Sequence, residues 1–107
     1  MNAAAEPANP LSSLFTGSEA AKVIDFLLSN EQHQTMAEIH ASTRTSMNTI
    51  NKIIDNLLDI DAAGIGANRV QGKHVDEDTY YIRDDTDTGK SIRDLRYHLM
   101  QVQSKSY

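Results

Sequence analysis

The chain contains no cysteine. That excludes a disulfide framework, a thiolate metal centre and a cysteine nucleophile. It has no tryptophan, and its apolar fraction of 39% is modest, so any core is small. No apolar run reaches the 18 residues a membrane-spanning helix needs. Residues 1–10 have neither a basic start nor an apolar stretch, so they do not read as a secretory signal, and the expected compartment is the cytoplasm. Lysine is scarce, at five, while Asp outnumbers Glu ten to five and the net charge is −5. An Asp-heavy, Lys-poor surface stays hydrated in concentrated salt, and a halophilic adaptation is the expectation. Gly64-Ile65-Gly66 lacks a third glycine and a preceding strand, so it is not a nucleotide loop. No Ser/His/Asp grouping sits in a nucleophile-elbow context. Neither an enzyme nor a cofactor is expected, and no small-molecule ligand is evident.

At 107 residues the chain is long enough for one domain. Residues 1–10 are small and polar with two prolines and read as a tail. Leu11, Leu14 and Phe15 form the first apolar cluster. Ser18 then caps a helix whose stripe is Ala20, Val23, Ile24, Leu27 and Leu28, at i, i+3, i+4, i+7 and i+8. Phe26 lies off that stripe and is expected to cover Leu14, Phe15 or a partner. Thr35-Met36-Ala37-Glu38 is a capping box and starts a short second helix. Residues 41–45 are polar and aperiodic and read as a turn. Ser46 caps a third helix with the stripe Ile50, Ile53, Ile54, Leu57 and Leu58, extended one turn by Met47; Gly64 suits its C-cap or the turn beyond. Residues 65–70 and 75–82 then read as two strands of a hairpin around Gln71-Gly72-Lys73-His74. Tyr80 and Tyr81 alternate, one inward and one outward. The last helix runs over 88–104, with Ile92, Leu95, Leu99 and Val102 as a heptad-like seam.

Two helices, a tight turn and a hairpin at once after the second helix make a winged helix-turn-helix, in which that second helix enters the DNA major groove. With its five apolar residues turned inward, Thr45, Asn48, Thr49, Lys52, Asp55 and Asn56 point outward. Amide, hydroxyl and ammonium groups are those that reach base edges and phosphates. The charge distribution agrees. Residues 41–75 hold four bases against three acids, +1 in a chain of −5, whereas residues 76–87 hold six acids. Among the four histidines only His98 has a carboxylate at useful helical spacing, Asp94. That pair reads as solvated beside Arg93 and Arg96, and no metal site is expected.

Residues 14–100 resemble the winged helix-turn-helix transcriptional regulators of archaea, haloarchaea in particular, within the broad MarR/ArsR-like group. The resemblance rests on Leu14-Phe15, on Lys22-Val23-Ile24-Asp25-Phe26-Leu27-Leu28 and on Thr35-Met36-Ala37-Glu38-Ile39. It continues in Thr45-Ser46-Met47-Asn48-Thr49-Ile50, Ile54-Asp55-Asn56-Leu57 and Tyr80-Tyr81-Ile82. Arg44, His40 and Thr45 depart from the pattern, standing where a turn Gly or Asp, a small residue and an apolar residue are usual. The resemblance implies a mainly α fold with a small β-hairpin. It would comprise a DNA-binding domain over 11–87 and a dimerisation helix over 88–107, with Ile92, Leu95, Leu99 and Val102 at the interface. It also implies a sequence-specific regulator of double-stranded DNA, a dimeric repressor acting by promoter occlusion. The DNA surface is then expected to comprise Arg44, Thr45, Ser46, Asn48, Thr49 and Lys52 with Asn68, Arg69, Lys73 and His74 of the hairpin. The alternative is a winged-helix module, an assembly subunit or anti-repressor, that binds protein and not DNA.

Overall fold

Hydroxyl groups start four of the helices. Ser18 Oγ accepts from Ala21 N at 3.1 Å, Thr35 Oγ1 from Glu38 N at 3.2 Å, Ser46 Oγ from Thr49 N at 3.2 Å and Thr86 Oγ1 from Gly89 N at 3.1 Å. Each satisfies a backbone donor the helix cannot, an effect of about 1 kcal/mol per cap. At Thr35 the box is reciprocal, because Thr35 N also donates to Glu38 Oε1 at 2.8 Å. The computed structural model describes residues 9–30, 32–66, 69–70, 73–74 and 78–104. In chain order the elements are α1 (Pro10–Leu14), α2 (Glu19–Ser29), β1 (Gln34–Thr35), α3 (Met36–Thr43) and α4 (Met47–Asp59). They continue as β2 (Ala63–Gly66), β3 (Arg69–Val70), β4 (Lys73–His74), β5 (Thr79–Ile82) and α5 (Asp87–Ser104). The fold is mainly helical with a small antiparallel sheet in the order β1-β5-β2, and β3 pairs separately with β4. Among the described residues no helix is long and apolar enough to cross a membrane.

The core is where the helical stripes meet the sheet. Val23 and Leu27 of α2, Ile39 of α3, and Ile50, Ile53, Ile54 and Leu57 of α4 are buried together with Ala62, Ala63 and Ile82. Tyr80 and Ile92 pack partly against them. Phe26 also packs against this core and lines a shallow polar cleft beside Lys22, Ser29 and Ser42. The alternation expected at the tyrosines holds, with Tyr80 toward the core and Tyr81 on the other face. There Tyr81 stacks on His33, with ring centroids 4.2 Å apart and planes 12° apart. The sheet makes room for both rings through two glycines. A Cβ on Gly64 would stand 2.5 Å from Tyr81 Oη, and one on Gly66 would stand 2.1 Å from His33 Nδ1.

Several expectations are corrected. Pro10 is buried at the start of α1, so it belongs to the folded part and not to a tail; residues 1–8 lie outside the described residues. Gly64 does not cap α4. It sits in β2, and Asp61 takes the left-handed conformation after α4, with φ of 60°. The hairpin begins at Ala63, two residues early, because Ala63 pairs with Ile82 and Gly66 with Thr79. Lys73 and His74 are strand residues, with Lys73 opposite Val70 and His74 opposite Arg69. On α2 the inward face includes Asp25, which is fully buried, while Ala20, Ile24 and Leu28 are only partly so.

Asp25 is the polar centre of the fold. Its Oδ1 accepts from Leu11 N at 3.2 Å and from Arg96 Nε at 3.1 Å; its Oδ2 accepts from Ser12 N at 2.8 Å and Ser12 Oγ at 2.9 Å. One carboxylate thus ties α1, α2 and α5 together. At the other end of the sheet, the Arg93 guanidinium donates to the carbonyls of Ile82 and Arg83 where β5 ends. Thr86 Oγ1 donates to Asp61 O at 2.6 Å, fastening the start of α5 to the end of α4.

Candidate functional site

The α3–α4 connection sets the site. Thr43 Oγ1 turns back to donate to Ile39 O at 2.7 Å, and it accepts from Thr45 N at 3.4 Å. Arg44, exposed between them, is left-handed with φ of 59°, and its N–H donates to His40 O. A side chain in that conformation costs roughly 1 kcal/mol that glycine would not. His40 Nδ1 lies 2.7 Å from Thr45 O. A carbonyl only accepts, so Nδ1 carries the proton and the imidazole braces the turn. The chain then enters α4 through the Ser46 cap, whose hydroxyl also donates to Thr49 Oγ1 at 2.9 Å.

Burial of Ile50, Ile53, Ile54 and Leu57 fixes the rotation of α4. Asn48, Asn51, Lys52, Asp55, Asn56 and Asp59 are exposed, and Thr49 is half-buried. At 100° per residue the outermost stripe is Asn48, Lys52, Asp55 and Asp59. It begins with an amide and an ammonium and ends with two carboxylates. The one cation of the stripe thus stands in the first half of α4 and both carboxylates in the second, so the charge changes sign along it. No protein-family model matches the chain, and no curated protein matches it either. The character of the site rests on its own chemistry.

Two residues depart from their expected places. Thr45 is fully buried, not outward, because the turn folds it beneath the end of α3. Its side chain has no access to a ligand of this face. Among the described residues Thr45 Oγ1 has no hydrogen-bond partner. An unmet buried hydroxyl costs about 1–3 kcal/mol, so Thr45→Val is expected to raise stability by about 1 kcal/mol in urea unfolding. Met47 is the opposite case. It continues the apolar spacing of α4 but is 43% exposed, because it lies at the edge of the stripe that Ile50, Ile53, Ile54 and Leu57 bury. Met47 and Asn51 are the members of this face that the sequence pattern missed. Arg44, Ser46, Asn48 and Lys52 are exposed where expected. Asn68 and the side chains of Arg69, Lys73 and His74 lie outside the described residues.

The opposite pole is acidic. Asp84 and Asp85 are exposed on the β5–α5 connection and Asp87 at the start of α5. Arg83 forks onto Asp85 with two contacts of 2.9 Å. That hydrogen-bonded pairing holds the Asp85 carboxyl below the usual carboxylate range and raises Arg83. On α5, Ile92 and Leu99 are half-buried, whereas Leu95 is 41% and Val102 65% exposed. Leu95 and Ile92 line one side of an apolar groove of about 190 Å³, with Leu11, Phe15 and Ile24 on the other. Leu14 and Phe15 stand half-exposed beside it.

Proposed function

We propose that the chain is a winged helix-turn-helix protein that binds duplex DNA through the start of α4 and represses by occupying a promoter. The observation that carries this reading is the exposed amide and ammonium surface of Asn48, Asn51 and Lys52, presented by a helix that a braced turn precedes and an antiparallel hairpin follows. Arg44 adds a cation at that turn in a conformation that favours glycine, and phosphate contact gives a reason to keep a guanidinium there. In this reading α4 enters the major groove by its first two turns, and Asp55 and Asp59 stay outside. The wing would supply Arg69 and Lys73 to the backbone.

A homodimer belongs to the same proposal. Leu95, exposed at the edge of the α1–α5 groove, and Val102, exposed two turns further along α5, support pairing of α5 with its copy across a two-fold axis, which suits a palindromic site. Replacing Leu95 and Leu99 together by polar residues is expected to yield a folded monomer, whereas the wild type sediments as a dimer at micromolar concentration. The test of the whole is a titration with duplex DNA from the protein's own upstream region, followed by fluorescence anisotropy. Asn48→Ala is expected to cost about 1–3 kcal/mol at one operator position and to relax preference there. A second reading, a protein-binding module, is favoured by Asp55 and Asp59 on the outward stripe of α4. It takes over if wild type and Asn48→Ala are equally indifferent to every duplex.

A further inference from the structure

We infer that the first two turns of α4 are built to read A·T base pairs, an assignment that rests on the duplex-binding reading above. The most frequent specific contact to guanine is a bidentate arginine or lysine on its O6 and N7; α4 contains no arginine, and its one lysine, Lys52, lies beyond the two amides. What its first two turns expose instead is Met47, Asn48, Asn51 and Lys52. An asparagine amide matches adenine, donating to N7 and accepting from the N6 amino group. An apolar side chain matches the C5-methyl of thymine.

The arrangement is as informative as the composition. Met47 and Asn51 are spaced i, i+4, so they stand one above the other on a single flank of α4. Asn48 lies beside them, one residue round the helix. Neither amide is spent inside the described structure: no hydrogen bond joins the Asn48 or Asn51 side chain to a described residue. Met47 is not spent on the core either, in contrast to Met36, which packs against it. The face therefore offers a thioether methyl and two free amides side by side. That set complements a thymine methyl and the adenine edges of neighbouring pairs. Lys52, the one cation of α4, lies a turn beyond Asn48 and serves the phosphate backbone.

The experiment selects duplexes from a random pool with the full-length wild-type chain and sequences those retained. Base analogues are then placed in the selected site. Deoxyuridine for thymidine removes only the major-groove methyl, and 7-deazaadenine removes only the N7 acceptor. The expected site has A·T pairs at the positions that Asn48→Ala and Asn51→Ala relax. 7-Deazaadenine there should weaken the wild type by roughly 5- to 150-fold. Deoxyuridine should weaken wild type but leave Met47→Ala unchanged. Both Met47 and Asn51 are exposed, so their variants should melt as the wild type does. Selection of G·C pairs at those positions overturns the assignment and leaves the duplex-binding reading intact. So does an A·T preference indifferent to both analogues, which would come from groove shape and not from these side chains. Retention without enrichment overturns the assignment alone, and a pool from which no duplex is retained overturns both.

Discussion

Asp25→Ala is expected to destabilise the protein by about 3–5 kcal/mol, a large share of the roughly 5–15 kcal/mol that holds a domain of this size folded. The Asp25 carboxylate is fully buried and the Arg96 side chain is 11% exposed. Deleting the acid takes a buried charged acceptor from the Arg96 guanidinium and from the N–H groups of Leu11 and Ser12. Asp25→Asn should fall between, since it keeps the shape and loses the charge. Asp25→Leu combined with Arg96→Met should recover part of the loss, because it removes both ions together. Urea midpoints of the three variants against the wild type give these values. A midpoint for Asp25→Ala equal to that of the wild type would show that the pair does not hold α1 and α5 to α2.

The second large effect reverses the usual sign. Glycine to alanine inside a helix ordinarily gains about 1 kcal/mol. Gly89→Ala is instead expected to lose about 1–3 kcal/mol through overpacking. A Cβ there would lie 2.1 Å from the backbone oxygen of Arg83, which has no rotamer to escape into. The first turn of α5 would have to lift, straining the Gly89 N–Thr86 bond and with it the Thr86–Asp61 link to α4. Gly66→Ala is the control. Its close neighbours are the side chains of His33 and Thr79, and His33 can swing aside, so its loss should be smaller. Thermal melts of the two variants side by side decide the order.

What local sequence could reveal was the part of the fold set by local chemistry. Ser18, Thr35 and Ser46 each stand one residue before a helix, and the stripe from Ile50 to Leu57 faces the core as its spacing requires. The failures share a different cause, since each depends on what lies across the fold. β1 is two residues long and has no period of its own; β5 defines it by pairing Gln34 with Tyr80. Asp25 looks like a solvent residue of α2 until Arg96 is seen beneath it. Met47 fits the apolar spacing, yet it stands at the edge of the buried stripe, and among the described residues no element covers it. Thr45 is polar, yet the turn that His40 braces folds it inward. Asn51 does not stand out in the spacing because Leu58, apolar but only half-buried, turns the inferred outward face away from it. For the candidate site, Asn48 and Lys52 were legible on that basis, and the flank beside them was not.

The position of Asp25 also orders events in time. Its counter-ion is 71 residues further along the chain, and synthesis runs from the N-terminus. While the first helices leave the ribosome, α2 carries a carboxylate on the face it must bury, and the guanidinium that neutralises it does not yet exist. α1 can already offer that carboxylate the N–H groups of Leu11 and Ser12 and the Ser12 hydroxyl, but the opposite charge comes only with α5. Asp25 therefore couples completion of the core to the arrival of α5.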